Sequence, residues 1–558
     1  MERIMRPMLS WNRVALLLAL FILAILIVIP VGLVFQLSFY RQQTFDLLAP
    51  LKVLAQTSLL HTVGNSVWLG LWVVISATLI AGPVAFLTVK TPLQKARWLD
   101  VILLIPFMTP PFINSMGWIL FMQPRGYLSQ LFPFLSGLSP YFFSLGGLIL
   151  IMSLHLFPFL YLVIKNTLLQ IGESFEDAGA VFGGGFWHRL RRIVLPLLVS
   201  GYGAGALLVF VKTISEFGTP ATFGRRISFT VLTTEIHRYT SLWPIDFGKA
   251  AVLSSTLLGV CLLLWYLHEW SGRHFAFKLV GPKGSKIKIY RLGPLGTLAV
   301  SLYLTLILVI AIGIPYFSII ATSLMKLKGY GLTAGNFTLE HYGELLALGS
   351  PGLKALMLSL GLALATGCVT AGLGLFLALT GLSGNSRIHR SIDFLSLLPN
   401  TVPGIVMIVG LILFWNAPWM KLRIYNTYWM VLLSYVILFL PITVQYVGAA
   451  YRRIDPTLFQ AGSICGGNAR YVFRRILLPL ILPGILSGWI MTFIISIREL
   501  VASMMILPPG FENAARFIYA QFEQGNNSVG MAMAVVTMLS STVVLLIINR
   551  LIPTTNEV

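Results

Sequence analysis

Two carboxylates at the ends of long apolar runs are the residues in this sequence best placed for chemistry. Glu216 and Glu499 lie 283 positions apart, with Lys212 four residues before Glu216 and Arg498 directly before Glu499. Lys212 and Glu216 can pair along one helix face. Charges in an apolar setting usually face a cavity or a partner, so we predict that these four residues line a pathway or gate. The alternative is that they anchor loops at a membrane interface.

Other reactive constellations are missing from the sequence. The segment Gly281 to Lys286 lacks the four-residue spacing of a phosphate-binding Walker loop, so the chain is not expected to hydrolyse ATP itself. His61, His155 and His341 have no second ligand at helical spacing, and we predict no metal site. No nucleophile, base and acid occur as a set. We therefore predict neither catalytic residues nor a bound cofactor.

One short polar pattern occurs twice, again at an offset of 283. Each copy has an acidic or amide residue, Ala and Gly, then three residues and a second Gly. The members of the two copies are Asp177, Ala178, Gly179 and Gly183, and Gln460, Ala461, Gly462 and Gly466. In both copies Ile-x-Leu-Pro follows nine residues later, and both copies lie between long apolar runs. A membrane protein that repeats one loop on one face is expected to present two contact points to one partner.

The local chemistry of these loops predicts a short helix, a glycine break and a second helix. Ser174 and Asp177 have the spacing of a capping box, and Asp455 before Pro456 resembles an N-cap followed by proline at the first helical position. At Gly183 and Gly466 we expect a tight turn that a side chain would obstruct.

Composition places most of the chain in lipid. Hydrophobic residues make up 57% and charged residues 10% of the sequence, and the mean hydropathy is +0.86. This mixture predicts an all-α integral membrane protein. The net charge of +21 lies mainly in short links between apolar runs, as in cytoplasmic loops, so no nucleic-acid partner is expected. Twelve spans are predicted, near residues 14–37, 62–89, 98–122, 145–168, 193–217, 247–268, 293–324, 353–381, 392–416, 427–450, 476–505 and 529–552.

The spans divide into two six-span halves. We predict a first half at 1–270, a basic cytoplasmic linker at 271–291 and a second half at 292–558. An even number of spans in each half gives parallel repeats, related by a pseudo-two-fold axis along the membrane normal, with both termini in the cytoplasm. Proline pairs at Pro106 and Pro110, and at Pro399 and Pro403, predict kinked or unwound helices in the third and ninth spans.

The repeated loop resembles the hallmark cytoplasmic loop of the integral permeases of ATP-binding-cassette importers, which reads Glu-Ala-Ala-x3-Gly-x9-Ile-x-Leu-Pro. The departures are Asp177 and Gln460 at the acidic position and Gly179 and Gly462 at the second alanine. The resemblance implies a type I permease of the cell inner membrane, which works with a periplasmic binding protein. It also implies that the loops, at about 171–192 and 454–475, each dock in a groove of a separate ATPase subunit, two in all.

A chain with both permease halves fused is similar to the ferric-iron group of these importers. The stretches that carry this likeness are Glu216 to Pro220, Val231 to Ile236 and Ser496 to Leu500. Permeases for phosphonates, thiamine and polyamines share them, so ferric iron is the expected cargo and those compounds are alternatives. A twelve-span secondary transporter is an alternative of another class, and a structural or enzymatic membrane protein is a further one.

Overall fold

The computed structural model describes residues 13–41, 44–275, 288–382, 384 and 386–551. Within these ranges the chain is almost entirely helical, and its one sheet is the two-stranded hairpin of Tyr40–Arg41 and Thr44–Phe45. The all-α class predicted from composition is confirmed. Both chain ends and residues 276–287, which form the middle of the predicted linker, lie outside the described residues.

Nine helices in the described ranges are long and apolar enough to cross a membrane, and three bent helix pairs raise the number to as many as twelve. We number these segments span 1 to span 12. They are Arg13–Ser38, Thr57–Lys90, Arg97–Met108 with Pro111–Met122, Leu145–Gln170, Phe186–Arg189 with Leu195–Ser215, Phe247–Phe275, Pro294–Ser323, Pro351–Leu382, Arg387–Leu397 with Gly404–Trp415, Tyr428–Tyr451, Ala469–Ser496 and Asn527–Leu551.

Short elements connect the spans. The short α-helices are Ala49–Leu54, Tyr127–Leu131, Ser139–Phe142, Glu173–Val181, Gly218–Thr222, Leu232–Ser241, Glu340–Leu346, Thr457–Ile464, Val501–Ile506 and Ala514–Glu523. The 3-10 turns are Pro92–Lys95, Pro133–Leu138, Gly224–Ile227, Lys328–Tyr330, Ala334–Asn336 and Leu398–Asn400.

The proline pairs break their spans as predicted. Span 3 bends by 89° between Met108 and Pro111, and span 9 bends by 108° between Asn400 and Gly404. Proline removes a backbone donor and its ring clashes with the carbonyl four residues earlier, so a helix that reaches it must bend or restart.

The backbone contains four π-helical turns among the described residues, two in each predicted half. They are Ala24–Val28, Leu190–Val194, Val309–Gly313 and Phe473–Leu477. In each case a proline follows two residues after the turn: Pro30, Pro196, Pro315 and Pro479. A wider turn relieves the clash that proline imposes on the preceding helix, which gives these turns a common physical cause.

The chain forms two compact units that exchange their first spans. One unit contains the described residues up to Val53, residues Ile236–Leu258 and the chain from Leu339 onward, so span 1 packs with spans 8 to 12. The other contains Leu54–Glu235 and Gly259–Thr338, so span 7 packs with spans 2 to 5. The halves predicted from the sequence follow the repeat along the chain and differ from these compact units. The boundaries of the halves stay a prediction.

Glycines make the exchanged spans fit closely. An added Cβ would lie 2.8 Å from the Pro315 carbonyl oxygen at Gly117, and 2.6 Å from the Pro30 carbonyl oxygen at Gly410. Gly117 and Gly410 are 293 positions apart, the same offset as that between Pro106 and Pro399. Because a backbone oxygen cannot swing aside, neither position can accept a larger residue without moving a helix.

We expect Gly410→Ala to lower the thermal stability of the purified protein, at a cost of about 1–3 kcal/mol. Gly372→Ala is the matched control, because Gly372 is also helical but its Cβ would meet nothing within 4 Å. That change should leave stability unchanged or raise it by up to about 1 kcal/mol, since alanine favours helix. Equal melting temperatures for the two variants in detergent would contradict the close crossing.

Candidate functional site

The two repeated loops have one backbone conformation. In the first, helix Glu173–Val181 is followed by Gly183 and then by helix Phe186–Arg189. In the second, helix Thr457–Ile464 is followed by Gly466 and then by Ala469–Val472. The φ angles of the two glycines are +80° and +83°. The predicted order of helix, glycine break and helix is therefore present in both copies.

A Schellman motif ends each loop helix. The first glycine after the helix donates its N–H to the carbonyl three residues back, and the next glycine donates to the carbonyl five residues back. These bonds are Gly183 N to Ala180 O at 2.9 Å, Gly184 N to Gly179 O at 2.9 Å, Gly466 N to Ser463 O at 3.0 Å and Gly467 N to Gly462 O at 2.9 Å.

The requirement for glycine at the break differs from the one expected. A Cβ at Gly183 or Gly466 would meet nothing within 4 Å, so a side chain would not be obstructed. The left-handed φ is the constraint, because an L-residue with a Cβ is disfavoured there. The sequence reasoning identified the right residues and gave the wrong reason.

Two further glycines were missed. At Gly184 a Cβ would lie 2.6 Å from the Gly179 carbonyl oxygen, and at Gly467 it would lie 2.7 Å from the Gly462 carbonyl oxygen. Both therefore need glycine for space. The Gly-Gly pair at the same offset in both copies was the signal available in the sequence.

Gly179 and Gly462 pack against the isoleucines of their own motif. A Cβ at Gly179 would clash with Ile193 Cδ1, and one at Gly462 would clash with Ile476 Cδ1. The loop helix thus lies directly on the first turns of the span that follows it. This contact explains why the glycine and the isoleucine occur together, fourteen residues apart, in both copies.

A buried ion pair anchors the first loop. Lys90, the last residue of span 2, donates from Nζ to Glu176 Oε1 at 2.5 Å, and neither residue is more than 1% exposed. Tyr290 donates its hydroxyl to the other oxygen, Glu176 Oε2, at 2.5 Å. Burial, and then the bond to the Glu176 carboxylate, raise the pKa of Tyr290 far above its usual value. Tyr290 therefore stays a neutral donor at physiological pH.

The described end of the linker is bound to the same loop. The Tyr290 N–H donates to the Lys90 carbonyl at 2.7 Å, and the Tyr290 ring stacks near Phe86, with ring centroids 6.2 Å apart. Lys288 forms an ion pair with Asp177. The capping box predicted from Ser174 and Asp177 is not formed: Gly172 holds the N-cap position without a side-chain bond. Asp177 pairs with the linker instead.

The second loop is anchored by apolar packing. Phe459, at the position 283 residues after Glu176, is buried in a cluster with Leu379, Val472, Leu477 and Ile481. At the start of this loop Asp455 accepts the Thr457 N–H at 2.9 Å, and this bond lowers the pKa of Asp455. The helix begins at Thr457, so Pro456 occupies the N-cap position that the sequence reasoning gave to Asp455.

Each loop presents a large apolar side chain to solvent at the same position. Val181 is 83% exposed and Ile464, 283 residues later, is 86% exposed. In the first loop Phe182 is exposed as well. Grouped apolar side chains that are this exposed mark a contact surface for another molecule.

The two predicted pathway carboxylates serve as helix caps. Glu216 accepts the Thr219 N–H at 2.9 and 3.1 Å, at the start of helix Gly218–Thr222. Glu499 Oε1 accepts the N–H groups of Val501 and Ala502 at 2.9 and 3.2 Å. The two copies therefore have the same local structure here, because each carboxylate caps the short helix that follows its span.

The expected pairing of Lys212 with Glu216 is not formed. Glu216 turns toward Thr219, and no ion pair between Lys212 and Glu216 occurs among the described residues. The pathway or gate role of Lys212, Glu216, Arg498 and Glu499 stays a prediction, beside a capping role that the sequence did not suggest.

Known permease proteins are similar to this chain over most of its length. The chain is 26% identical over 530 residues to the ferric transport system permease protein FbpB of Actinobacillus pleuropneumoniae, and the alignment covers 93% of this chain and 75% of the relative. It is 23% identical to Fe(3+)-transport system permease protein FbpB 2 of Haemophilus influenzae, covering 87% and 88%. A permease protein assigned to 2-aminoethylphosphonate transport, PhnV of Salmonella typhimurium, is 25% identical over 259 residues, 46% of this chain and 96% of the relative.

A family model matches the chain twice, at residues 93–276 and at residues 370–555. Each match contains one of the repeated loops, the π-helical turn that follows it and one of the capping carboxylates, so the duplication of these features is a duplication of the family unit. Together the matches cover well over half of the sequence. The chain belongs to the family of binding-protein-dependent transport system inner membrane components.

Proposed function

We propose that this chain is the translocating subunit of an ATP-binding-cassette importer and that its repeated loops are the coupling loops. The supporting observation is the equivalent exposure of Val181 and Ile464, each at the end of a loop helix with the same glycine cap. A groove on an ATPase subunit would cover these side chains. Because the loop helix lies on the next span through Ile193 or Ile476, movement of the loop would reach the membrane directly.

The proposed partners follow from the two loops and from the family. Two ATPase subunits, one per loop, would supply ATP hydrolysis, and a soluble binding protein would deliver the cargo from outside. This arrangement requires the loops, the linker and both termini to lie in the cytoplasm. A secondary transporter would need neither partner, and the family match argues against that alternative.

Ferric iron is the proposed cargo. The relatives named for ferric transport match nearly the full length of this chain, whereas the phosphonate relative matches one half. Carboxylate oxygens suit Fe³⁺ because it is a hard, highly charged ion. The basic neighbours Lys212 and Arg498 would instead suit an anionic cargo such as a phosphonate, which is the alternative. Uptake of radioactive iron into cells or proteoliposomes separates the two cargoes.

Acidic substitutions at the exposed loop tips should prevent assembly. We expect Val181→Asp combined with Ile464→Asp to abolish copurification of the ATPase subunits, because the docking groove would have to bury two charges. Leu348→Asp is the control, since Leu348 is 97% exposed in a loop that the predicted topology places outside. Copurification that survives the double change, with uptake intact, would remove the loops from this role.

Alanine at the glycine break should uncouple ATP hydrolysis from uptake. Gly183→Ala forces a Cβ onto a left-handed φ, at a cost of about 1–2 kcal/mol, and should raise the ATP hydrolysed per ion imported. Gly185→Ala is the matched control: it lies in the same loop with equally open space, but its φ is −64°. If both variants keep the wild-type ratio, the geometry of the break has no part in coupling.

Removal of charge from the capping carboxylates Glu216 and Glu499 tests whether they line the pathway. In Glu216→Gln combined with Glu499→Gln, the amide oxygen can still accept the capping bonds, so assembly and basal ATPase activity should be kept while iron uptake falls strongly. The corresponding double change to alanine should also lower stability, by about 1 kcal/mol per cap. Wild-type uptake by the glutamine variant would leave both residues as caps only. An absence of iron uptake by the wild type would overturn the proposed cargo.

A further inference from the structure

An apolar groove of about 700 Å³ lies among spans 2, 4 and 5, beside the first repeated loop. Its lining includes Gly82 of span 2, Leu168 of span 4 and Val199 of span 5, and the second helix of the loop contributes Phe186 and Trp187. All of these residues belong to one compact unit. The volume is that of a site which holds a small molecule.

The groove offers little to a polar occupant. Among its lining residues only Thr78 and Tyr202 carry hydroxyl groups, and these bond to each other at 2.8 Å. The lining of span 2 runs from Thr78 to Leu87, about 13 Å along the helix axis. Leu195 and Val199 are exposed, so the groove is open along the outside of the unit. A hydrocarbon chain suits this lining, because it loses no hydrogen bonds to water when it enters.

Positive charge lies at the loop end of the groove. Arg191 and Arg192 are both exposed and follow Trp187 in the chain. The guanidinium carbon of Arg191 is 5.9 Å from the centre of the Trp187 ring, which lines the groove. This cation therefore lies at the mouth of the groove, where it can meet the charged end of an occupant.

The acids of the same compact unit do not neutralise these arginines. They are Asp100, Glu173, Glu176, Asp177, Glu216, Glu235 and Glu269. Three of them are paired with lysines, as Asp100 with Lys165, Glu176 with Lys90 and Asp177 with Lys288. Within the ranges that the structure describes, none of the seven forms an ion pair with Arg191 or Arg192.

We propose that this groove binds an anionic phospholipid, with one acyl chain along spans 2 and 5 and the phosphate at Arg191 and Arg192. Basic pockets between membrane helices at the cytoplasmic face are a setting in which anionic lipid head groups bind. Tryptophan is enriched at the level of the head groups, which is where the predicted topology places Trp187. A phospholipid combines the apolar body and the anionic end that the groove and its mouth require.

The second repeat has the charges but fills the corresponding space. Arg474 and Arg475 follow Arg191 and Arg192 at the offset of 283. At the same offset from two leucines of the groove stand Tyr451 and Phe473, and both pack against the buried cluster of the second loop. Larger side chains leave less room for an acyl chain, so the second repeat supplies matched controls.

The test uses the purified full chain in detergent, titrated with dioleoylphosphatidylglycerol, with bound lipid counted by native mass spectrometry. We expect Gly82→Leu to raise the Kd of this lipid by about tenfold, because the leucine would occupy the groove. A Cβ at Gly82 would meet nothing within 4 Å, so folding should be kept. Gly372→Leu is the matched control: its space is equally open, and the Kd should stay at the wild-type value.

A second pair of variants tests the head group. Arg191→Gln combined with Arg192→Gln should also raise the Kd by about tenfold, because the phosphate would lose its cationic partners. Arg474→Gln combined with Arg475→Gln is the control and should leave the Kd unchanged. Zwitterionic dioleoylphosphatidylcholine should bind the wild type more weakly than the anionic lipid, and added salt should narrow that difference.

Three results would overturn the proposal. The first is a wild-type Kd in Gly82→Leu or in the arginine variant, and the second is equal affinity of the wild type for the two lipids. The third is loss of ATPase copurification in Gly82→Leu with lipid binding intact, which would assign the groove to the ATPase subunit. The lipid titration needs neither ATPase nor cargo, so its failure would leave the proposed function standing, and the reverse also holds.

Discussion

The buried pair of Lys90 and Glu176 is the interaction on which the first repeated loop depends. Neither side chain is more than 1% exposed and each is the charged partner of the other, so removal of one would cost about 3–5 kcal/mol. Lys90 is the last residue of span 2 and Glu176 lies in the first turn of the loop helix Glu173–Val181, so both helix dipoles favour these charges. With Tyr290 on the second carboxylate oxygen, span 2, the loop helix and the end of the linker are held as one body.

The second loop reaches the same backbone conformation with apolar packing at the position where the first loop has its buried ion pair. Gly82 and Gly372 are equivalent in the repeat, so the position of Lys90 corresponds to Thr380, and the position of Glu176 corresponds to Phe459. Both of these residues are buried, which fits the general finding that apolar packing can replace a buried ion pair. The glycine cap and the contact between glycine and isoleucine are common to both copies, while the anchors differ. The shared features fix the geometry of the exposed end of the loop helix, at Val181 and Ile464. A partner would contact only that end.

Local patterns in the sequence predicted much of this structure. Apolar runs predicted the spans, proline pairs predicted the bends, and the repeated glycines predicted the loop breaks. The features that were missed depend on residues far apart in sequence. Asp177 pairs with Lys288 and not with its own helix end, and Lys90 meets Glu176 across 86 positions. No periodicity encodes such pairs. The exchange of spans 1 and 7 was missed for the same reason, although the close approach at Gly117 and Gly410 makes it possible.

The capping role of Glu216 and Glu499 changes what a pathway role would require. Each carboxylate holds the first N–H groups of a short helix that begins where its span ends. An oxygen that binds a hard cation becomes a poorer acceptor for those N–H groups, so ligation and capping compete for the same atoms. A cargo ion at either carboxylate would therefore loosen the short helix beside it. Cargo binding and the position of the short helix would then be linked through one carboxylate in each half. No further residue would be needed to transmit cargo binding to the span.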